Sequence, residues 1–129
     1  MFAPLVVLSR ALLDRLTRFD RAHAFALIAL DEAIGRMLGV VRVHNDPGDK
    51  SGEFAVLVQS RLKGQGLGWM LMQRMIATAR ARGIRTVHGQ VLRENLTMLA
   101  MCRELGFIVT DDPDDSSVEL VRLTVDAAA

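Results

Sequence analysis

Glu53-Phe54-Ala55-Val56-Leu57-Val58 and, a few residues on, Lys63-Gly64-Gln65-Gly66-Leu67-Gly68 form the stretch on which the fold turns. An apolar, extended run led by a carboxylate meets a glycine-rich turn that opens a long helical pattern. In that pattern Leu67, Leu71, Met75 and Ala79 fall on one face, widened by Met72 and Ile76. Gly83 closes it just past Arg80 and Arg82, whose charges suit the negative end of a helix dipole. A strand-to-helix junction of this kind can converge several backbone N–H groups on one anion, and so suits phosphate. It is not a Walker A loop, because no Gly-Lys-Ser/Thr follows, and its glycine spacing misses the dinucleotide Gly-x-Gly-x-x-Gly pattern. Taken alone, the loop is equally well explained as a turn that needs small residues for close packing.

Outward from this junction the chain alternates between extended and helical segments. Upstream, Ser9 is placed to cap a short helix in which Leu12, Leu13 and Leu16 recur, with Asp20 near its end. Residues 22–30 and 37–43 read as a hairpin joined through Asp31 to Gly35, and the turn signal from Asn45 to Asp49 leads into the strand that begins at Glu53. Downstream, residues 86–92 predict a strand. Asn95 caps a helix with Met98, Met101, Cys102 and Leu105 on one face, and Gly106 ends it before a strand around Phe107 to Val109. Asp111 to Ser116 is a turn and residues 118–125 the last strand. The class this predicts is α+β, a mixed twisted sheet flanked by helices.

With 129 residues, half of them hydrophobic, residues 1–129 are expected to form a single domain. No apolar stretch of about 18 residues is present, so no membrane partner is expected. The first residues lack a basic leader before their apolar run, and the single cysteine suits a reducing compartment; a cytoplasmic location is expected. A net charge of +1 argues against a nucleic-acid partner. His23, His44 and His88 lack metal-ligand spacing, so no metal is assigned, and His88, between Val87 and Gly89, reads as an ordinary strand residue.

The run from Glu53 to Val58, the loop from Lys63 to Gly68, and Asn95 with Leu105-Gly106-Phe107 downstream resemble in order and spacing the GNAT N-acetyltransferases. They are most similar to the catalytic domain at the C-terminus of bacterial protein lysine acetyltransferases. The resemblance covers nearly the whole chain, although the usual first strand of the family is expected to be missing. It implies a GNAT-like sheet in which the strand holding Glu53 and the strand near Val87 splay to admit acetyl-CoA as co-substrate. In the family a Gln/Arg-x-x-Gly-x-Gly/Ala loop receives the pyrophosphate. Here Lys63, Gly66 and Gly68 stand at the matching positions, with Gly64, Gln65 and Leu67 between them, and lysine keeps the charge of arginine without its planar fork.

The resemblance further implies roles for single residues. Glu53 is the expected catalytic base, against the plainer reading of a solvated strand-end glutamate. A base is needed because a lysine amine, with a reference pKa of about 10.4, is only about one part in a thousand neutral near neutral pH. Val56, Leu57 and Val58 are expected to run beside the pantetheine arm, with a backbone N–H near Leu57 or Val58 polarising the thioester carbonyl. Asn95 matches an asparagine that reaches toward the CoA arm and can also serve as a helix cap. Cys102 lies seven residues further on, where many GNAT enzymes carry a tyrosine that protonates the departing thiolate; this chain has no tyrosine. Beside the CoA arm a thiol could act as acid, but packing as a small apolar residue is the expected role. The reaction implied is direct transfer of an acetyl group to an amine, of a protein lysine or a small molecule. A non-catalytic acyl-CoA-binding module and a homodimeric assembly are left open.

Overall fold

The computed structural model describes residues 5–6, 23–31, 33, 35–48, 50–58 and 66–125. The helix expected after Ser9 lies outside the described residues, as do Lys63, Gly64 and Gln65. In chain order the elements are β1 (Leu5–Val6), β2 (Ala24–Asp31), β3 (Arg36–Asn45), β4 (Ser51–Val58), α1 (Leu67–Ala81), β5 (Thr86–Leu92), α2 (Leu96–Glu104), β6 (Ile108–Asp111) and β7 (Val118–Thr124). The described strands form one sheet in the order β1-β2-β3-β4-β5-β7-β6. Every neighbouring pair is antiparallel except β4 and β5, which are parallel because α1 carries the chain back between them. The mixed α+β sheet expected from the sequence is therefore present. The expectation of a missing first strand meets a two-residue ladder at the sheet edge, where Leu5 and Val6 pair with Ala29 and Ile28.

The hairpin forms where its apolar runs and turn residues place it. Asp31 accepts from Ala33 N through its carboxylate at 3.0 Å and from Gly35 N through its carbonyl at 2.8 Å, which reverses the chain. A bulge follows, since Ala29 faces Gly39 and Leu30 faces Met37; Leu38 is the extra residue, and both Leu38 and Gly39 are buried. Both helices press on one face of the sheet. From α1, Leu71, Met72, Met75 and Ala79 are fully buried in a core shared with Phe25, Val41 and Val43. From α2, Leu99 and Cys102 join the same core near Val91, Phe107 and Val121. Truncating any one of the larger side chains to alanine removes about 2–5 kcal/mol. Each helix ends as the sequence predicts, on a glycine with positive φ: Gly83 (83°) lets Ile84 N reach Ala79 O at 3.0 Å, and Gly106 (98°) lets Phe107 N reach Cys102 O at 2.9 Å.

Candidate active site

The parallel ladder between β4 and β5 is short. It runs through Ser51 with Thr86, Gly52 with Val87 and Glu53 with His88, and there it stops, although β4 stays paired with β3 as far as Val58. The strands part at Phe54. Its buried ring lies against Gly89, where a Cβ would meet Phe54 Cε1 and the Phe54 carbonyl oxygen, each at 3.0 Å, and it packs edge-on against Phe107 with centroids 5.6 Å apart. The Phe54 ring covers Gly89 where the ladder ends. The splayed pair inferred from the sequence is thus built from residues on both sides of the opening.

Beyond Phe54, one edge of β4 has no ladder partner among the described residues. The Leu57 carbonyl oxygen points toward β3, lying 3.0 Å from an ideal Cβ on Gly39. Because C=O and N–H of one peptide point in opposite directions, the Val58 N–H faces the opening. Val56 has the same parity as Val58, so its backbone groups face that way too. The two valine side chains lie half-buried on the helix side and pack on the core, while the Leu57 side chain is 72% exposed on the other face. Of the backbone N–H groups of Leu57 and Val58, it is that of Val58 that faces away from β3.

After β4, α1 begins at Gly66. Gly66 has φ 88°, a left-handed conformation that a residue with a Cβ adopts only under strain, and it is the residue at which the helix begins. Met70 N already bonds Gly66 O at 3.1 Å, and the first turn contains no acidic side chain. The first-turn N–H groups, which an α-helix leaves without intrahelical partners, and the helix dipole present positive potential there, and no side chain of that turn opposes it with a negative charge. Leu67 is turned into the core. A Cβ on Gly68 would lie 3.3 Å from Met101 Cε and 4.0 Å from Val58 Cγ2, so the helix start, the end of β4 and α2 converge at one place.

Glu53 is exposed, on the sheet face opposite the helices, beside the point where the strands part. Its cross-strand neighbours are His44 on β3 and His88 on β5, and Arg122 on β7 follows in the same row. His88 Nε2 lies 2.7 Å from Asp46 Oδ2, and Ser51 Oγ donates to the same oxygen at 2.6 Å. The Ser51 hydrogen bond, and after it the one from His88, hold the Asp46 carboxyl below the usual carboxylate range. Sequence reasoning passed over His88 as an ordinary strand residue. The signal available was parity: on β5, His88 alternates with the buried Val87 and Gly89 and so shares the face of Glu53 once the strands are in register.

The remaining sequence-predicted residues stand on α2. Asn95 Oδ1 accepts from Met98 N at 3.2 Å and caps the helix. Cys102 is fully buried in the core, and desolvation pushes its thiol up to about 11, an effect that Arg103 opposes only in part. It is placed with Leu99 and Phe107 in the core and not on an exposed wall of the opening. Among the described residues no group of His, Cys, Asp and Glu could hold a metal ion, and no helix is long and apolar enough to cross a membrane.

Residues 4–107 match the acetyltransferase (GNAT) family, and the chain belongs to that family, whose co-substrate is acetyl-CoA. It is 34% identical over 119 residues to acetyltransferase PA5475 of Pseudomonas aeruginosa, covering 91% of this chain and 64% of that one. With acetyltransferase Pat of Mycolicibacterium smegmatis the identity is 29% over 101 residues, 78% of this chain and 30% of the relative. The chain therefore spans less than two thirds of either relative's length. The solved GNAT domain of S. lividans PAT superposes with a TM-score of 0.74 at 25% identity, covering 91% of this chain and 69% of that domain. These similarities set the chain close to the GNAT domains of bacterial protein acetyltransferases.

Proposed function

We propose that this chain transfers the acetyl group of acetyl-CoA to an amine, with a protein lysine as the first acceptor to consider. The observation that carries the reading is the early end of the β4–β5 ladder, with Glu53 at its last rung and the Val58 N–H facing the gap beyond. The pyrophosphate would rest on the loop from Lys63 to Gly68, against the amides at the start of α1. The pantetheine arm would run along Val56, Leu57 and Val58 as an added strand, with Asn95 across the gap.

Glu53 accepts the proton of the acceptor ammonium, directly or through water, and the freed lone pair attacks the thioester carbonyl. Charge then develops on the carbonyl oxygen, where the Val58 N–H donates. CoA leaves as a thiolate and takes its proton from solvent, since a core thiol at about 11 is a poor acid for this step. Closeness to the GNAT domains of bacterial protein acetyltransferases supports the lysine acceptor, and the lone cysteine supports a cytoplasmic setting. An acceptor screen that sets lysine peptides and folded proteins against polyamines, amino acids and amino sugars tests this choice. Turnover confined to small amines would replace the lysine reading.

A further inference from the structure

We propose that His88, backed by Asp46 and Ser51, is a relay residue that receives the acceptor's proton from Glu53 and passes it to solvent. The inference rests on the reading of Glu53 as the base. Three features of the fold lead to it. His88 and Glu53 are partners on adjacent parallel strands, at the last rung before the strands part, with their side chains on one face. His88 Nε2 is bound to Asp46 Oδ2, and a carboxylate can only accept hydrogen bonds, so in the neutral ring Nε2 carries the hydrogen and Nδ1 the lone pair. Ser51 occupies the same carboxylate oxygen and helps keep Asp46 anionic, so an imidazolium formed here meets a fixed counter-charge.

The charged groups around His88 among the described residues are Glu53 from β4, Asp46 from the turn before it and Arg122 from β7, with His44 beyond Glu53 in the same row. The transfers balance. An N–H bond of the ammonium breaks, its electron pair stays on nitrogen for the attack, and the proton joins a Glu53 carboxylate oxygen. That proton next moves, directly or through water, to His88 Nδ1, which restores the Glu53 carboxylate and leaves an imidazolium against Asp46. His88 and Asp46 side chains are 38% and 35% exposed, so the imidazolium can lose the proton to water.

Two measurements on the whole protein test the relay. Imidazole ¹⁵N spectra, with His88 assigned by its loss in His88→Gln, should show the neutral ring as the Nε2–H tautomer, with Nδ1 unprotonated. In turnover, His88→Gln should cost about tenfold near neutral pH, leave the KM for acetyl-CoA in place, and recover toward wild type at high pH, where the amine arrives partly neutral. Added to Glu53→Gln it should cost nothing more. The opposite tautomer, or an active enzyme whose His88→Gln loss is the same at every pH or additive with Glu53→Gln, overturns the relay alone. A protein that binds acetyl-CoA and acetylates no amine overturns the relay together with the function beneath it.

Discussion

Replacing Cys102 by alanine separates a catalytic thiol from a packing one, and the structure sets the magnitudes. Removing a fully buried Sγ from the core of α2 should cost about 1 kcal/mol at neutral pH, which lowers the thermal midpoint by about 3–4 °C for a chain of this size. The pH dependence is more telling. The thiol ionises near 9 when unfolded and near 11 in the fold, so above pH 9 the unfolded chain holds fewer protons than the native one and wild type loses stability as pH rises. With that separation, about 1.4 kcal/mol is gone by pH 10, and the alanine variant has no such loss. The variant should therefore be the less stable protein at pH 7 and match or exceed wild type at pH 10. Urea unfolding of both proteins from pH 7 to 10 measures this, with CoA-thiol release as the parallel activity assay. Turnover should fall less than tenfold. Parallel stability curves, or a loss of turnover beyond a hundredfold in a folded Cys102→Ala protein, would refute the placement of this thiol in the core and make it the acid that tyrosine supplies elsewhere.

Other outcomes follow from the opening itself. Gly66→Ala should cost about 1–2 kcal/mol through its left-handed φ alone, since no atom lies within 4 Å of the added Cβ, and chemical denaturation reads this directly. Gly66→Asp should in addition abolish the rise in thermal midpoint that acetyl-CoA produces, because it sets a negative charge where the pyrophosphate would rest. Gly89→Ala should cost about 1–3 kcal/mol and weaken acetyl-CoA binding, seen by calorimetry, because its Cβ would collide with the ring and carbonyl of Phe54 at the parting of the strands. Asn95→Ala should remove the cap of α2 and about 1 kcal/mol of stability, with a larger effect on the KM for acetyl-CoA only if Asn95 also touches the CoA arm.

Local chemistry made much of this fold legible. The 3.6-residue recurrence of Leu67, Leu71, Met75 and Ala79 marks a helix that presses those side chains into the core, and Gly83 and Gly106 stop both helices with positive φ. The apolar run from Glu53 to Val58 was equally plain as a strand, and in β4 buried Phe54 alternates with exposed Glu53 and Ala55. Pairing across the sheet was not legible. Nothing local tells His88 that its partner is Glu53, or tells Phe54 that its ring will rest on Gly89, because a parallel register is set by α1 and the core it packs. For the same reason Asp46 read only as a turn residue, although the fold brings it to His88 across 42 positions of sequence. The thiol of Cys102 was ambiguous as a letter and becomes interpretable once its burial is known.

The central claim is that Glu53, at the end of the β4–β5 ladder, takes a proton from an amine that attacks acetyl-CoA. It is tested most directly by following a labelled acetyl group from acetyl-CoA to amine acceptors with wild type and Glu53→Gln side by side. Wild type should transfer the label to an amine nitrogen; Glu53→Gln should bind acetyl-CoA with near-unchanged affinity, turn over about a hundredfold more slowly, and recover part of the rate at high pH. Equal rates in the two proteins, or firm binding of acetyl-CoA by wild type with no label on any amine, would contradict it.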